Sequence, residues 1–117
     1  MDIGSKGLAE VNLIIPQGTS LAFTIDHEDS DGNPVDHTSS TMHMAFESKD
    51  GKVFADLSEY AVGTATGVTV FIPPEVTDGL SIGKMLWDLI VDTVSGDTVR
   101  LAYGTVSIVD TYALDGD

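Results

Sequence analysis

Apolar and polar residues alternate one for one through most of this chain, and a period of two is the spacing of a strand whose successive side chains face opposite ways. Val11, Leu13 and Ile15 alternate with Asn12 and Ile14, and Leu21, Phe23 and Ile25 alternate with Ala22, Thr24 and Asp26. Met42, Met44 and Phe46 share one face, with Thr41, His43 and Glu47 on the other. Val68, Val70 and Ile72 alternate with Thr69 and Phe71, and Met85, Trp87, Leu89 and Val91 alternate with Leu86, Asp88, Ile90 and Asp92. Val99, Leu101 and Tyr103 return along a partner strand, continued by Val106 and Ile108. No ten-residue stretch has apolar positions spaced by three and four, so no large helix is predicted.

The breakers between these runs place the turns. Pro16 cannot donate to a ladder, so a kink or a switch of sheets is expected at Pro16-Gln17-Gly18. Ser48-Lys49-Asp50-Gly51 and the tip Ser95-Gly96 read as tight turns. Val53 to Leu57 reads as a short strand against the Met42 strand, followed by a loop at Ser58-Glu59-Tyr60. Pro73-Pro74 ends the Val68 strand, and one helical turn is expected between Pro74 and Leu80. Gly104 inside a strand pattern suggests a bulge or the close approach of another backbone. About seven short strands at turn spacings near ten residues are the signature of an all-β, immunoglobulin-like antiparallel sandwich of two sheets. Trp87, the single tryptophan, is expected to fill the space between them. The sandwich is assigned to residues 11–110, after an N-terminal arm at 1–10 and before a C-terminal tail at 111–117.

Length and charge narrow the picture. The 117 residues, 42% of them hydrophobic, fit one domain with one core. The sequence has no apolar run of membrane-spanning length and no basic-then-apolar leader at its start, so a soluble product made in a cytoplasm is expected. With no cysteine, neither a disulfide framework nor a zinc–thiolate site is open to it. Nineteen acidic residues against five basic ones leave a net charge of −14. Such a charge repels phosphate backbones and anionic lipid at long range, so neither nucleic acid nor membrane is expected as a partner. The cations Lys6, Lys49, Lys52, Lys84 and Arg100 form no basic stripe.

The residues offer little catalytic chemistry. No serine sits in a G-x-S-x-G elbow, and His27, His37 and His43 carry no supporting motif, so an enzyme is not expected. His43 is expected on the solvent face of its strand. His27 and His37 flank the turn Glu28-Asp29-Ser30-Asp31-Gly32-Asn33, and with Asp29, Asp31 and Asp36 they form a set of potential ligands lacking the spaced histidine pair of a zinc site. Asp29, Asp31 and Asn33 offer oxygens on alternate residues, as the start of a calcium loop does. The glycine then falls at the fourth position rather than the sixth, and Ser40 stands where a bidentate glutamate belongs. The simpler reading is structural: Asp31-Gly32 turns the chain and Asn33-Pro34 sets its exit. Tyr60, Tyr103 and Tyr112 are too scattered to form a stacking platform.

Four phrases occur in order: QGTSLAFTID from Gln17, DSDGNPVDHT from Asp29, KMLWDLIVDT from Lys84 and VRLAYGTVSIV from Val99. Over about four fifths of its length, the chain resembles the small immunoglobulin-like sandwich domains of tailed-bacteriophage particles. In those, QG-initiated first strands, a DGxPxDhT turn and a late WDL strand occur together. The resemblance implies a non-enzymatic virion component, either a capsid decoration protein or a tail or baseplate adaptor. It would contact other virion proteins and copies of itself through sheet edges, loops and the arm. The alternative from a different class is a bacterial immunoglobulin-like ligand- or carbohydrate-binding module that uses calcium, which glycan and calcium binding would distinguish.

Overall fold

The computed structural model of the chain describes residues 9–110 together with the backbone of residues 2–5. The strands are β1 (Asp2–Ser5), β2 (Ala9–Glu10), β3 (Leu13–Pro16), β4 (Leu21–His27), β5 (Thr41–Glu47), β6 (Val53–Asp56), β7 (Ala61–Gly63), β8 (Gly67–Ile72), β9 (Gly83–Asp92) and β10 (Thr98–Val109). Among the described residues there is one short α-helix, α1 (Pro74–Asp78), which follows Pro73. Its proline start fits, because the first N–H groups of a helix have no partner inside it.

Two sheets pack face to face. One has the order β1-β4-β8-β7, and the other runs β2-β10-β9-β5-β6, with β3 following β2 along the same side of β10. Strands β4, β8 and β7 in one sheet and β10, β9, β5 and β6 in the other form an immunoglobulin-like two-sheet sandwich. Their pairings are antiparallel, whereas the edge pieces are not: β1 lies parallel to β4, and β2 and β3 lie parallel to β10. The kink expected at Pro16-Gln17-Gly18 carries the chain from one sheet to the other, from β3 on β10 to β4 on β8. Gln17 fastens the crossing by donating its side-chain amide to the carbonyl of Leu80 at 2.7 Å.

The inward faces supply one core. Phe23 and Ile25 of β4 and Val68, Val70 and Ile72 of β8 meet Met44 and Phe46 of β5, Trp87, Leu89 and Val91 of β9, and Val106 and Ile108 of β10. Leu13 and Ile15 close its flank while Ile14 points to solvent, as the alternation requires. Trp87 meets Phe23 edge to face across the sheets, with ring centroids 5.8 Å apart. Its indole N–H donates to the carbonyl of Val11 at 2.8 Å.

Some local expectations change. The segment Ser58–Tyr60, expected as a loop, is one turn of 3-10 helix. The short strand β7 was not visible in the pattern, because Ala61-Val62-Gly63 is too brief to show a period. Tyr103 does not share a face with Leu101. The register between β9 and β10 slips at Arg100/Ala102, so Leu101 and Ala102 are both buried and every later residue changes side. Gly104 is therefore not the bulge. It is the site of close approach, where an added Cβ would lie 2.0 Å from the carbonyl oxygen of Val11. Asp2–Ser5 and Ala9–Glu10, within the segment expected as an arm, pair with β4 and β10 of the same chain. The expected tail, 111–117, lies outside the described residues.

Replacing Trp87 by alanine is expected to cost about 3–5 kcal/mol, the range for deleting a buried aromatic ring, read as a fall in the urea midpoint. Gly104→Ala should cost about 1–3 kcal/mol, the range for forcing atoms into a filled space, because the obstacle is backbone and cannot rotate away. Amide exchange would locate this second effect, with protection lost first where Val11 donates its N–H to the carbonyl of Tyr103.

Candidate interaction surfaces

The outward faces of the two sheets differ in charge. On the larger sheet, Lys84, Asp88, Asp92, Arg100, His43 and Glu47 alternate with the core residues. Arg100 lies 3.7 Å from the Asp88 carboxylate and stacks over Tyr103 at 5.0 Å. His43 is exposed, as expected, and its Nε2 lies 2.9 Å from Oδ2 of Asp92. The Thr98 hydroxyl and His43 both bond the Asp92 carboxyl, which holds it below the usual carboxylate range. This face thus carries charges of both signs, interleaved with half-buried Leu86 and Ile90.

The outward face of the four-stranded sheet carries Ala22 and Thr24 from β4, Thr69 and Phe71 from β8, and Val62 from β7. Cross-strand register sets Ala22 beside Phe71, Thr24 beside Thr69, and Val62 beside Thr69. Phe71 is 52% exposed and Val62 60%, so the apolar groups stand in water rather than in the core. The two threonine hydroxyls lie 3.4 Å apart. Asp26, opposite Gly67 at the end of the ladder, is the one charged side chain that β4, β7 and β8 present on this face. β1 completes this sheet at its edge and sets Asp2 in register with Thr24, so on a molecule of net charge −14 the charge-poor part of the face is the part that β8 and β7 carry.

A second apolar surface lies at the end of the sandwich where β9 begins. Phe54, Leu80, Ile82 and Met85 line a groove beside Lys84. Phe54 and Ile82 are both exposed. The pairing of β6 with β5 is irregular at this point, opposite Phe46 and Glu47, and Val53 and Phe54 are both left exposed.

The acidic turn lies at the other end. Oδ1 of Asp29 accepts the N–H groups of Asp31 and Asn33, each at 2.9 Å, and the backbone N–H of Asp29 donates to the carbonyl of Asn33. Gly32 takes φ +84°, which a side chain would resist. Asp29 thus closes a turn, and the exposed Asp31 and Asn33 contribute backbone to it. Among the described residues, no three His, Asp or Glu side chains gather as a metal site would need.

Sequence reasoning did not foresee what the flanking histidines do. His27 ends β4 and His37 lies ten residues later, yet Nδ1 of His27 is 2.8 Å from Nε2 of His37. The rings are parallel within 5° and their centroids are 5.1 Å apart. A nitrogen–nitrogen distance shorter than the thickness of an aromatic stack means that the rings lie edge to edge in nearly one plane, sharing a proton between them. Nδ1 of His37 bonds the hydroxyl of Ser40 at 2.9 Å. His37 in this serine–histidine contact is fully buried. The backbone holds the pair in place, with the N–H of His27 on the carbonyl of Thr66 and that of His37 on the carbonyl of Thr64. Burial lowers the pKa of both imidazoles; nearby Asp29 partly offsets this for His27, whereas the proximity of His27 lowers that of His37 further. The pair pins the long β4–β5 connection to the end of the smaller sheet.

Unfolded imidazoles titrate near 6.5, and these two titrate lower when folded. Their contribution to stability is therefore complete above pH 6.5. It is lost as the pH falls from there toward the folded values, because only the unfolded chain takes up protons in that window. The slope is limited to about 1.4 kcal/mol per pH unit for each imidazole. Thermal melts from pH 8 to 5 should show the midpoint falling below pH 6.5, and the double variant His27→Gln/His37→Gln should flatten that fall. The carboxylates of Asp36, Asp56 and Asp92 are themselves lowered from 3.8, so they act only in stronger acid. A decline of equal steepness in the double variant would remove the histidine pair as its cause. Compared with protein-family models and with curated protein sequences, the chain matches none.

Proposed function

We propose that this chain is a non-enzymatic structural component of a tailed-phage virion, a capsid decoration protein or a tail or baseplate adaptor, that works through protein–protein contacts. The observation that carries the reading is the outward face of β4, β8 and β7, where Phe71 and Val62 stand exposed around two threonines on an otherwise acidic molecule. Exposed apolar area of this kind is costly in a protein that acts alone and is useful in one that is covered by a neighbour. The sandwich supports the same reading, since it offers rigid faces and edges. The ordered phrases beginning at Gln17, Asp29 and Lys84 supply the link to phage particles. The groove beside Phe54 and Ile82 is a second place where a neighbouring virion protein fits.

Gold-labelled antibody raised against the chain, applied to purified phage particles and viewed by electron microscopy, tests this. Label over the head is the outcome for a decoration protein, and label at the neck or tail tip is the outcome for an adaptor. Particles that contain none of the chain would reject the virion assignment.

A further inference from the structure

We propose that the groove beside Phe54 and Ile82 is covered by this chain's own C-terminal segment, residues 111–117, laid along the start of β9. The inference goes beyond the reading of that groove as a place for a neighbouring protein, and names what such a neighbour has to displace.

The backbone leaves room for a strand. β9 pairs with β10 from Asp92 down to Gly83, which stands opposite Ile108, but its ladder with β5 stops at Leu86 opposite Glu47. Gly83, Lys84 and Met85 therefore have a strand on one side only among the described residues. Backbone groups at an open edge accept an added strand, and pockets beside it take alternate side chains. Here the groove supplies the pocket: Phe54, Leu80, Ile82 and Met85 line it, and Phe54 and Ile82 are each 56% exposed.

Charge selects an acidic occupant. Lys84 borders the groove, and Lys49 joins it in lining the adjoining depression with Met85 and Leu86. Among the described residues the ion pairs are His43 with Asp92 and Arg100 with Asp88, so these two lysines, and Lys52 at the same hairpin, carry none. Glu47 and Asp50 flank them without pairing. Three unpaired cations at one end of a molecule of net charge −14 favour a carboxylate, yet an acidic chain arriving from solution is repelled by the molecule as a whole. An acidic segment already attached meets the lysines at the high effective concentration of an intramolecular contact.

Position and sequence single out residues 111–117. β10 ends at Val109, one residue past the partner of Gly83, so the chain leaves the sheet at the groove's own end. In the strand order β10-β9-β5-β6, the far wall at Phe54 lies three spacings from β10, or about 14 Å. Seven extended residues reach about 23 Å. The segment reads Thr-Tyr-Ala-Leu-Asp-Gly-Asp. Drawn out as a strand, it sets Tyr112 and Leu114 on one side for the groove, and Asp115 and Asp117 follow for the lysines.

Disulfide trapping in the full chain, which has no cysteine of its own, tests this. Under mild oxidation the pair Phe54→Cys/Leu114→Cys should close within one chain about tenfold faster than Ser107→Cys/Leu114→Cys. Ser107 lies on β10, much nearer to residue 114 along the chain, so an undocked segment closes on it first. Lys84→Glu and high salt should each slow closure at residue 54 several-fold, because both weaken the attraction between lysine and carboxylate. Thermal melts verify that each variant is folded. Should Phe54→Cys fail to fold, Tyr112→Ala decides without any cysteine: loss of the ring should move the Ile82 methyl signals in the NMR spectrum and leave those of exposed Ile14 in place. Closure at residue 54 that is no faster than at residue 107, or that is unchanged by Lys84→Glu, overturns the proposal, as do Ile82 signals indifferent to Tyr112→Ala. Disulfides that form only between two chains also overturn it, by assigning the groove to a second copy. Every measurement uses the isolated chain, so none bears on where gold label falls, and the virion assignment stands or falls separately.

Discussion

The rest of the fold depends on what Trp87 holds. Its ring fills the centre of the sandwich against Phe23, and its N–H reaches the carbonyl of Val11, in the break between β2 and β3. One side chain thus joins the two sheets and fixes the edge strand. The fit leaves no spare room. Val11 lies so close to β10 that any side chain at 104 would force the two backbones apart, and the side-chain oxygen of Asn12 accepts the backbone N–H and hydroxyl of Thr105 on the same strand. A parallel edge strand has no hairpin to set its register, so these side-chain contacts set it instead.

With the core and that edge secured, the ends of the sandwich are free to differ. At one end the β4–β5 connection is tied down by an imidazole pair and by the Asp29 turn, both of which bond backbone or each other. At the other, the residues leading into β9 and the irregular β6 leave apolar side chains beside Lys84. The outward faces differ too, one carrying charges of both signs and the other exposed Phe71 and Val62.

Most strands were legible in the sequence because their period of two is long and unbroken. Met42 to Phe46 and Met85 to Val91 needed no tertiary information to reveal which side chains would be buried. The misses have particular causes. Strand β7 is three residues long, and Leu101-Ala102 hides a slipped register behind a pattern that reads as regular. Gly104 was marked as a bulge or a close approach, and only the position of Val11 decided between them. Among the candidate ligands, the local turn chemistry of Asp29 could be read from Asp31-Gly32-Asn33, whereas nothing in the spacing of His27 and His37 signals that their rings meet.

By itself, the sequence determined the class of the fold, the inward set of the long strands up to the slip in β10, the turns at glycine and proline, and the excess of acid. All of these follow from forces acting between residues near one another in the chain or on each residue alone. Tertiary structure alone decided which strands neighbour one another, that β2 and β3 lie parallel along β10, that two histidine rings bond each other, and that Phe71 and Val62 stand exposed on one sheet face. These depend on which distant segments meet, and hydrophobic alternation is blind to that choice, since every inward face is equally apolar.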